Sequence, residues 1–289
     1  KASINYRSFY SPVTILKERA KNDSTEVLFK NNKETKSDSL TSPIILQKEE
    51  DRIDRMEKNI ERLFSENKSG LLSFLFCLLI DAGTDAFIHK SATKLRNKWN
   101  IHSSRSVLAS LSVLGIQPSD VTDVFITHHH WDHSDGLVHF ERAKIHLAEV
   151  ELSSLKKKAS KEVLDFVQRA HLRGVLLTSS KGNKEEFPLF AVERAGQHTR
   201  GHRIIKLRCG GKNMIVAGDA AYLYQNIRER LPITQSRSAS GNLQDLRKML
   251  DWSGSNGEVL PGHDPEVFSR HKIVAQGVVK ICGPKEGPL

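Results

Sequence analysis

Three cysteines in 289 residues, none in a Cys-x-x-Cys pair, are too few for a disulfide framework or a cysteine-built zinc finger. A small secreted disulfide scaffold is thereby excluded, and such sparse cysteine usage points to a cytoplasmic setting. Because the chain begins at Lys1, a removed leader is left open. Long apolar runs are missing too. The longest, Leu71 to Ile80, is about half the ~20 residues that a spanning helix needs. It also lies too far along the chain for a signal-peptide core, and reads as a buried strand. No block of Lys and Arg stands out, although the two exceed Asp plus Glu by 44 to 34 and the net charge is +10. Charge spread in this way reads as a solvated basic surface, which favours anionic partners without choosing one.

What is present is 38% hydrophobic against 27% charged residues, enough for a sizeable core in one large domain or two small ones. Residues 1–70 are expected to form a loosely ordered extension. Its stretch 20–42 is polar and aperiodic, and Ile53, Met56, Ile60, Leu63 and Phe64 lie on one helical stripe. A single domain is expected over 71–270 and a tail over 271–289. From Gly70 onward strand and helix patterns alternate. Ile80-Asp81-Ala82-Gly83 is a strand feeding a tight turn, and 104–115 has helical spacing closed by Gly115. Val124–Thr127 and Lys144–Leu147 are β-rich. Ile204–Arg208 and Met214–Ala217 flank a Gly210-Gly211-Lys212-Asn213 turn, a hairpin, ahead of a helix through Leu243–Trp252 and a strand at Val259-Leu260. The expected class is a layered α/β (α+β) domain that is not a simple parallel βαβ array.

The informative stretch is Thr127-His128-His129-His130-Trp131-Asp132-His133, which leaves the end of a predicted strand. In extended chain residues i and i+2 point the same way, so His128 and His130 can converge on one ion. Asp132 and His133 can reach a second position after a turn. The helical zincin motif does not fit, because it needs Glu directly after its first His. Imidazole with carboxylate suits zinc and similar first-row divalent ions. Three further candidate segments follow, each at a strand end beside glycine: His198 and His202 in one loop, Asp219 after the hairpin, and His263 in Pro261-Gly262-His263.

The order His128-x-His130-x-Asp132-His133, then His198, Asp219 and His263, resembles that of the metallo-β-lactamase-fold hydrolases over roughly residues 71–265. Asp81-Ala82-Gly83 is similar to the early Asp-Thr-Gly element of that family. The resemblance implies a four-layer αββα sandwich and two divalent metal ions, zinc first among them. His128, His130 and His198 would hold one ion and Asp132, His133 and His263 the other, with Asp219 bridging. Asp81 and His202 would orient these ligands by hydrogen bonds. It further implies hydroxide supplied at neutral pH for hydrolysis, with Asp132 passing a proton to the leaving group.

Tyr222, three positions after Asp219, is similar to the tyrosine of the N-acyl homoserine lactonases, and would hydrogen-bond the carbonyl of a small lactone or ester. Trp131, Phe125 and Tyr224 are candidates for an acyl pocket, with packing the favoured role of each. Arg200 stands where many relatives carry proline, and the first seventy residues lack the usual early hairpins, so half of the first sheet is expected to be incomplete or unusual. A glyoxalase II-type thioesterase and a nuclease of the same fold are the alternatives. Nucleic acid is the less favoured partner for want of a basic-aromatic platform. No membrane association is expected, and pairing as a homodimer is left open.

Overall fold

Successive side chains of a strand point to opposite sides, so an uninterrupted apolar strand must bury both of its faces. The run ending at Ile80 does this: Leu78 and Ile80 enter one core cluster, Cys77 and Leu79 another, and all four are buried. The computed structural model describes residues 12–19, 27–29, 42–46, 74–84, 106–179, 184–186, 190–209, 211–275 and 278–282.

The strands among them are β1 (Pro12–Arg19), β2 (Val27–Phe29), β3 (Ser42–Leu46), β4 (Phe74–Ile80), β5 (Asp123–Phe125), β6 (Lys144–Ala148) and β7 (Leu176–Ser179). Then follow β8 (Lys184–Glu186), β9 (Phe190–Arg194), β10 (Arg203–Cys209), β11 (Lys212–Val216), β12 (Glu258–Leu260), β13 (Lys272–Ala275) and β14 (Val278–Cys282). The helices are α1 (Val107–Ser112), α2 (Trp131–Ser134), α3 (Glu149–Lys158), α4 (Lys161–Leu172), α5 (Tyr224–Arg228), α6 (Ala239–Ser253) and α7 (Val267–Arg270).

One sheet runs β13-β14-β2-β3-β1-β4-β5-β6-β7 and the other β12-β11-β10-β9-β8. Between them lies a shared core. Leu78, Ile80 and Phe125 of the larger sheet meet Ile205, Leu207 and Met214 of the smaller, and Ile215, on the other face of that sheet, joins the same cluster with Leu246 and Met249 of α6. The outer face of the larger sheet, with Leu79, Val124 and Ile145, packs on Leu111 of α1, Leu155 of α3 and Phe166 of α4. Two sheets between two helical layers are the expected αββα sandwich. Helix α4 shows why it covers the sheet: Val163, Phe166, Val167 and Ala170 fall on one stripe and are buried, and the Ser160 hydroxyl caps the Val163 amide. No helix among the described residues is long and apolar enough to cross a membrane.

The ends of the chain depart from expectation. Strand β1 pairs antiparallel with β4, Thr14 opposite Ile80, and parallel with β3. Strand β14 pairs with both β13 and β2. Stretches read as a loose extension and a tail thus supply five strands of the larger sheet, which is not the incomplete one expected. The physical reason is that most of these strands are short and that β1 with β4, and β14 with β2, pair segments far apart in sequence, where local periodicity carries no information about pairing. The amphipathic helix expected over Ile53–Phe64 lies outside the described residues, as does most of the stretch 20–42. Within 71–270 the expected elements appear: α1 spans less than the expected 104–115 and is followed by Gly115 at φ 67°, and the predicted hairpin is β10–β11, with Ile205 opposite Val216.

Candidate metal centre

Four segments that leave strand ends bring the polar residues together. The residues after β5 carry His128 and His130, and α2 follows at once with Asp132 and His133 in its single turn. The β9–β10 loop carries His198 and His202. A short turn after β11 carries Asp219, and the residues after β12 carry His263. The larger sheet contributes the first segment and the smaller sheet the other three.

The donor atoms form two groups. In the first, His128 Nε2 lies 3.0 Å and His198 Nε2 2.9 Å from His130 Nδ1, and Asp219 Oδ2 stands 3.2 Å from His198 Nε2 and 3.7 Å from His128 Nε2. In the second, Asp132 Oδ2 lies 3.7 Å from His133 Nε2 and 3.9 Å from His263 Nε2. Asp219 joins the two, because its other oxygen, Oδ1, is 2.8 Å from His263 Nε2 and 3.1 Å from His133 Nε2. Within each group the donor atoms all lie within 4.8 Å of one another.

These contacts fit a cation better than they fit one another. Two imidazole nitrogens can share one proton at most, so three that converge at about 3 Å leave lone pairs unsatisfied. Burial holds His130 and His198 at pKa values of about 4 and His128 well below its ordinary value, so all three are neutral, the form a metal needs. The buried His133 Nε2 faces carboxylate oxygens, Asp219 Oδ1 at 3.1 Å and Asp132 Oδ2 at 3.7 Å. The site is also built for positive charge. Burial opposes it, yet the imidazoles of His263, His133 and His198 hold Asp219 well below the usual carboxylate range. Burial likewise works against His133, yet the Asp219, Asp81 and Asp132 carboxylates raise it well above the usual imidazole value. Nitrogen and oxygen donors in this mixture suit two divalent ions.

The tautomers are set from behind. Asp81 Oδ2 accepts from His133 Nδ1 at 2.8 Å, which leaves Nε2 to face the second group. The Thr127 hydroxyl donates to Asp81 at 2.8 Å and stands 3.1 Å from His128 Nδ1, and the Thr127 amide donates to Asp81 Oδ1 at 2.7 Å. Asp81 therefore orients one imidazole directly and another through Thr127. It can do so because the turn after β4 takes φ to 58° at Asp81, a conformation that aspartate tolerates better than most residues. The turn is pinned from above, as Ala82 N donates to the His133 carbonyl and a Cβ on Gly136 would sit 2.2 Å from the Ala82 oxygen. His202 acts differently from the ligand role-players. Its Nε2 accepts the Asp219 amide at 3.0 Å, with burial holding the ring at about 4 and so able to accept. The Tyr222 hydroxyl lies 3.3 Å from His198 Nδ1.

All ten residues singled out from the sequence thus lie in one cluster. Of the suggested pocket aromatics, Phe125 is core, edge-on to Phe190, and Tyr224 is buried with its hydroxyl donating to Glu258 at 2.7 Å. Trp131 is half-buried on α2, and Arg200 is exposed, its carbonyl accepting from Arg194 Nε at 2.9 Å. Three supporting residues escaped sequence reasoning. Glu151 of α3 accepts from His129 and from the His198 loop. Asn242 of α6 bridges the Ala220 carbonyl and the Ile233 amide at 2.9 Å each. Gly241 is pressed by Gln197, which a Cβ there would meet at 2.6 Å. An ordinary helical Glu or Asn carries no sequence signal for such tasks.

The family model of the metallo-beta-lactamase superfamily matches residues 76–263. The chain belongs to that superfamily. Its fold and donor set are those of a metal-dependent hydrolase. A search of curated protein sequences finds no match. Among solved structures, a mutant of AiiA from B. thuringiensis with N-decanoyl-L-homoserine at its active site is similar at 17% identity and TM-score 0.54, covering 69% of this chain and 81% of that one. An N-acyl homoserine lactone hydrolase with N-hexanoyl-L-homoserine at its catalytic metal centre is similar at 14% identity and TM-score 0.55, covering 92% and 98%. A probable metal-dependent hydrolase from Staphylococcus aureus is similar at 18% identity and TM-score 0.54, covering 72% and 81%. At these identities the likeness is one of fold.

Proposed function

We propose that this superfamily member is a dinuclear zinc hydrolase that opens a lactone, or cleaves an ester, of a small acylated substrate. The observation that carries the reading is the Tyr222 hydroxyl beside His198, at the edge of the first donor group. A neutral His198 that turns Nε2 toward the group carries its proton on Nδ1 and donates it to the phenol oxygen. The phenol keeps its own hydrogen, a donor that would meet a carbonyl oxygen as that oxygen becomes negative.

Two divalent cations held by the seven donors would polarise that carbonyl and bring the pKa of water down to about 7. The chain does the rest. His128, His130 and His198 stay neutral by burial, and Asp219 holds the two groups together. Asp132, in the second group, would take the proton of the attacking water and pass it to the leaving oxygen. The structural relatives with acyl-homoserine products bound make an acylated lactone the first substrate to try.

The expected result for Tyr222→Phe is a fall in lactone turnover of about 100-fold, the low end for loss of one oxyanion donor, with metal content unchanged. A screen of lactone, thioester and phosphodiester substrates on both proteins reads this out. Full activity of the variant on lactones would overturn the lactonase-type assignment. The net charge of +10 permits a nuclease as the second reading, which a salt-dependent mobility shift with RNA and phosphodiester turnover would support.

A further inference from the structure

Helix α3 begins directly after β6, and its third residue, Glu151, is 1% exposed. Its two carboxylate oxygens divide their partners between two loops. Oε2 accepts the His129 amide at 3.0 Å and the His129 ring Nδ1 at 2.5 Å. Oε1 accepts the Thr199 hydroxyl at 2.8 Å and the Gly201 amide at 2.6 Å. The first loop carries His128 and His130 from the larger sheet, and the second carries His198 from the smaller. The fit on the second side is close, since a Cβ on Gly201 would lie 2.8 Å from Glu151 Oε1. His129 is fixed from its far side by Lys158 Nζ, 3.3 Å from Nε2, which turns Nδ1–H toward the carboxylate. Burial opposes the charge, but the bonds from His129 and Thr199 bring Glu151 down to about 2, and its seat in the first turn of a helix favours an anion.

We propose that Glu151 is a positioning residue of the metal centre, a clamp that ties the His128–His130 loop to the His198 loop so that their three ring nitrogens meet. The inference rests on the reading of those histidines as metal ligands, yet adds a residue that touches none of their donor atoms. The Glu151 carboxylate, accepting from both loops, holds the 2.9 Å approach of His198 Nε2 to His130 Nδ1, two atoms separated by 68 positions in the chain. The second donor group, Asp132, His133 and His263, does not depend on this clamp, because Asp81 and Asp219 hold it.

The test compares wild-type protein, Glu151→Gln and Thr199→Val in a chelator competition with zinc, together with the visible spectrum of the cobalt-loaded proteins. In Glu151→Gln the amide nitrogen meets either the donors of His129 or those of Thr199 and Gly201, so one half of the clamp is lost. The expected result is an affinity about 10- to 100-fold lower for one of two bound ions and near wild type for the other, with altered cobalt bands. Thr199→Val removes a single contact and is expected to shift the same ion in the same direction by less; it decides the matter if the glutamine variant fails to fold. Unchanged affinities in both variants, or equal weakening of both ions alongside lower thermal stability, would overturn the clamp. A wild-type protein that binds no zinc would instead defeat the metal reading itself.

Discussion

Replacing Asp219 with alanine is expected to reduce hydrolysis by more than about 100-fold, beyond the range seen when a group merely supporting a ligand is lost. Among the described residues Asp219 alone serves both donor groups: Oδ2 stands 3.2 Å from His198 Nε2 while Oδ1 stands 2.8 Å from His263 Nε2. Its removal takes one oxygen from each group and a negative charge from between five imidazoles, so the bound metal is expected to fall below one ion per chain. Asp219→Asn is the informative companion. It keeps the shape but presents an amide nitrogen, which has no lone pair for a cation, to one of the two groups. We expect it to retain one ion and little turnover. Retention of two ions and of activity by the alanine variant would contradict the shared role of this carboxylate.

The second large effect is expected at Asp81, on stability as well as on metal. Asp81→Ala leaves three buried donors without an acceptor: the Thr127 amide, the Thr127 hydroxyl and His133 Nδ1. Each such loss costs about 1–3 kcal/mol, and breaking a buried charged network typically costs about 3–5 kcal/mol. Against a total stability of about 5–15 kcal/mol that is a large share. Urea unfolding of the metal-free variant should show the lower midpoint. Zinc affinity at the His133 group is expected to drop about 10- to 100-fold, since the imidazole loses the partner that fixes its tautomer. A midpoint and an affinity equal to wild type would show that Asp81 does no more than cap a turn.

The donors were legible because their chemistry and their spacing coincide. His128 and His130 share a face at the end of a β-rich run, and the glycines beside His202, Asp219 and His263 mark bends where a side chain can be presented. The turn at Asp81 could be read from Gly83 alone, although not its task of orienting two imidazoles at once. The ends of the larger sheet were illegible for a different reason. Val27–Phe29 and Val278–Cys282 reveal nothing of each other in sequence, and strand pairing between them is a property of the folded sheet. Glu151 and Asn242 were missed because a polar residue on a helix reads as solvated until packing shows that it is buried with partners. The support around a site is thus harder to read than its donors, since it is defined by contacts and not by residue type.

Ion binding is tested most directly by an anomalous-scattering crystal structure of the zinc-loaded protein, with metal content measured on the same sample. The account predicts two ions per chain. One would lie among His128, His130 and His198, the other among Asp132, His133 and His263, with Asp219 touching both. Fewer than one ion per chain, or anomalous peaks away from these residues, would contradict it.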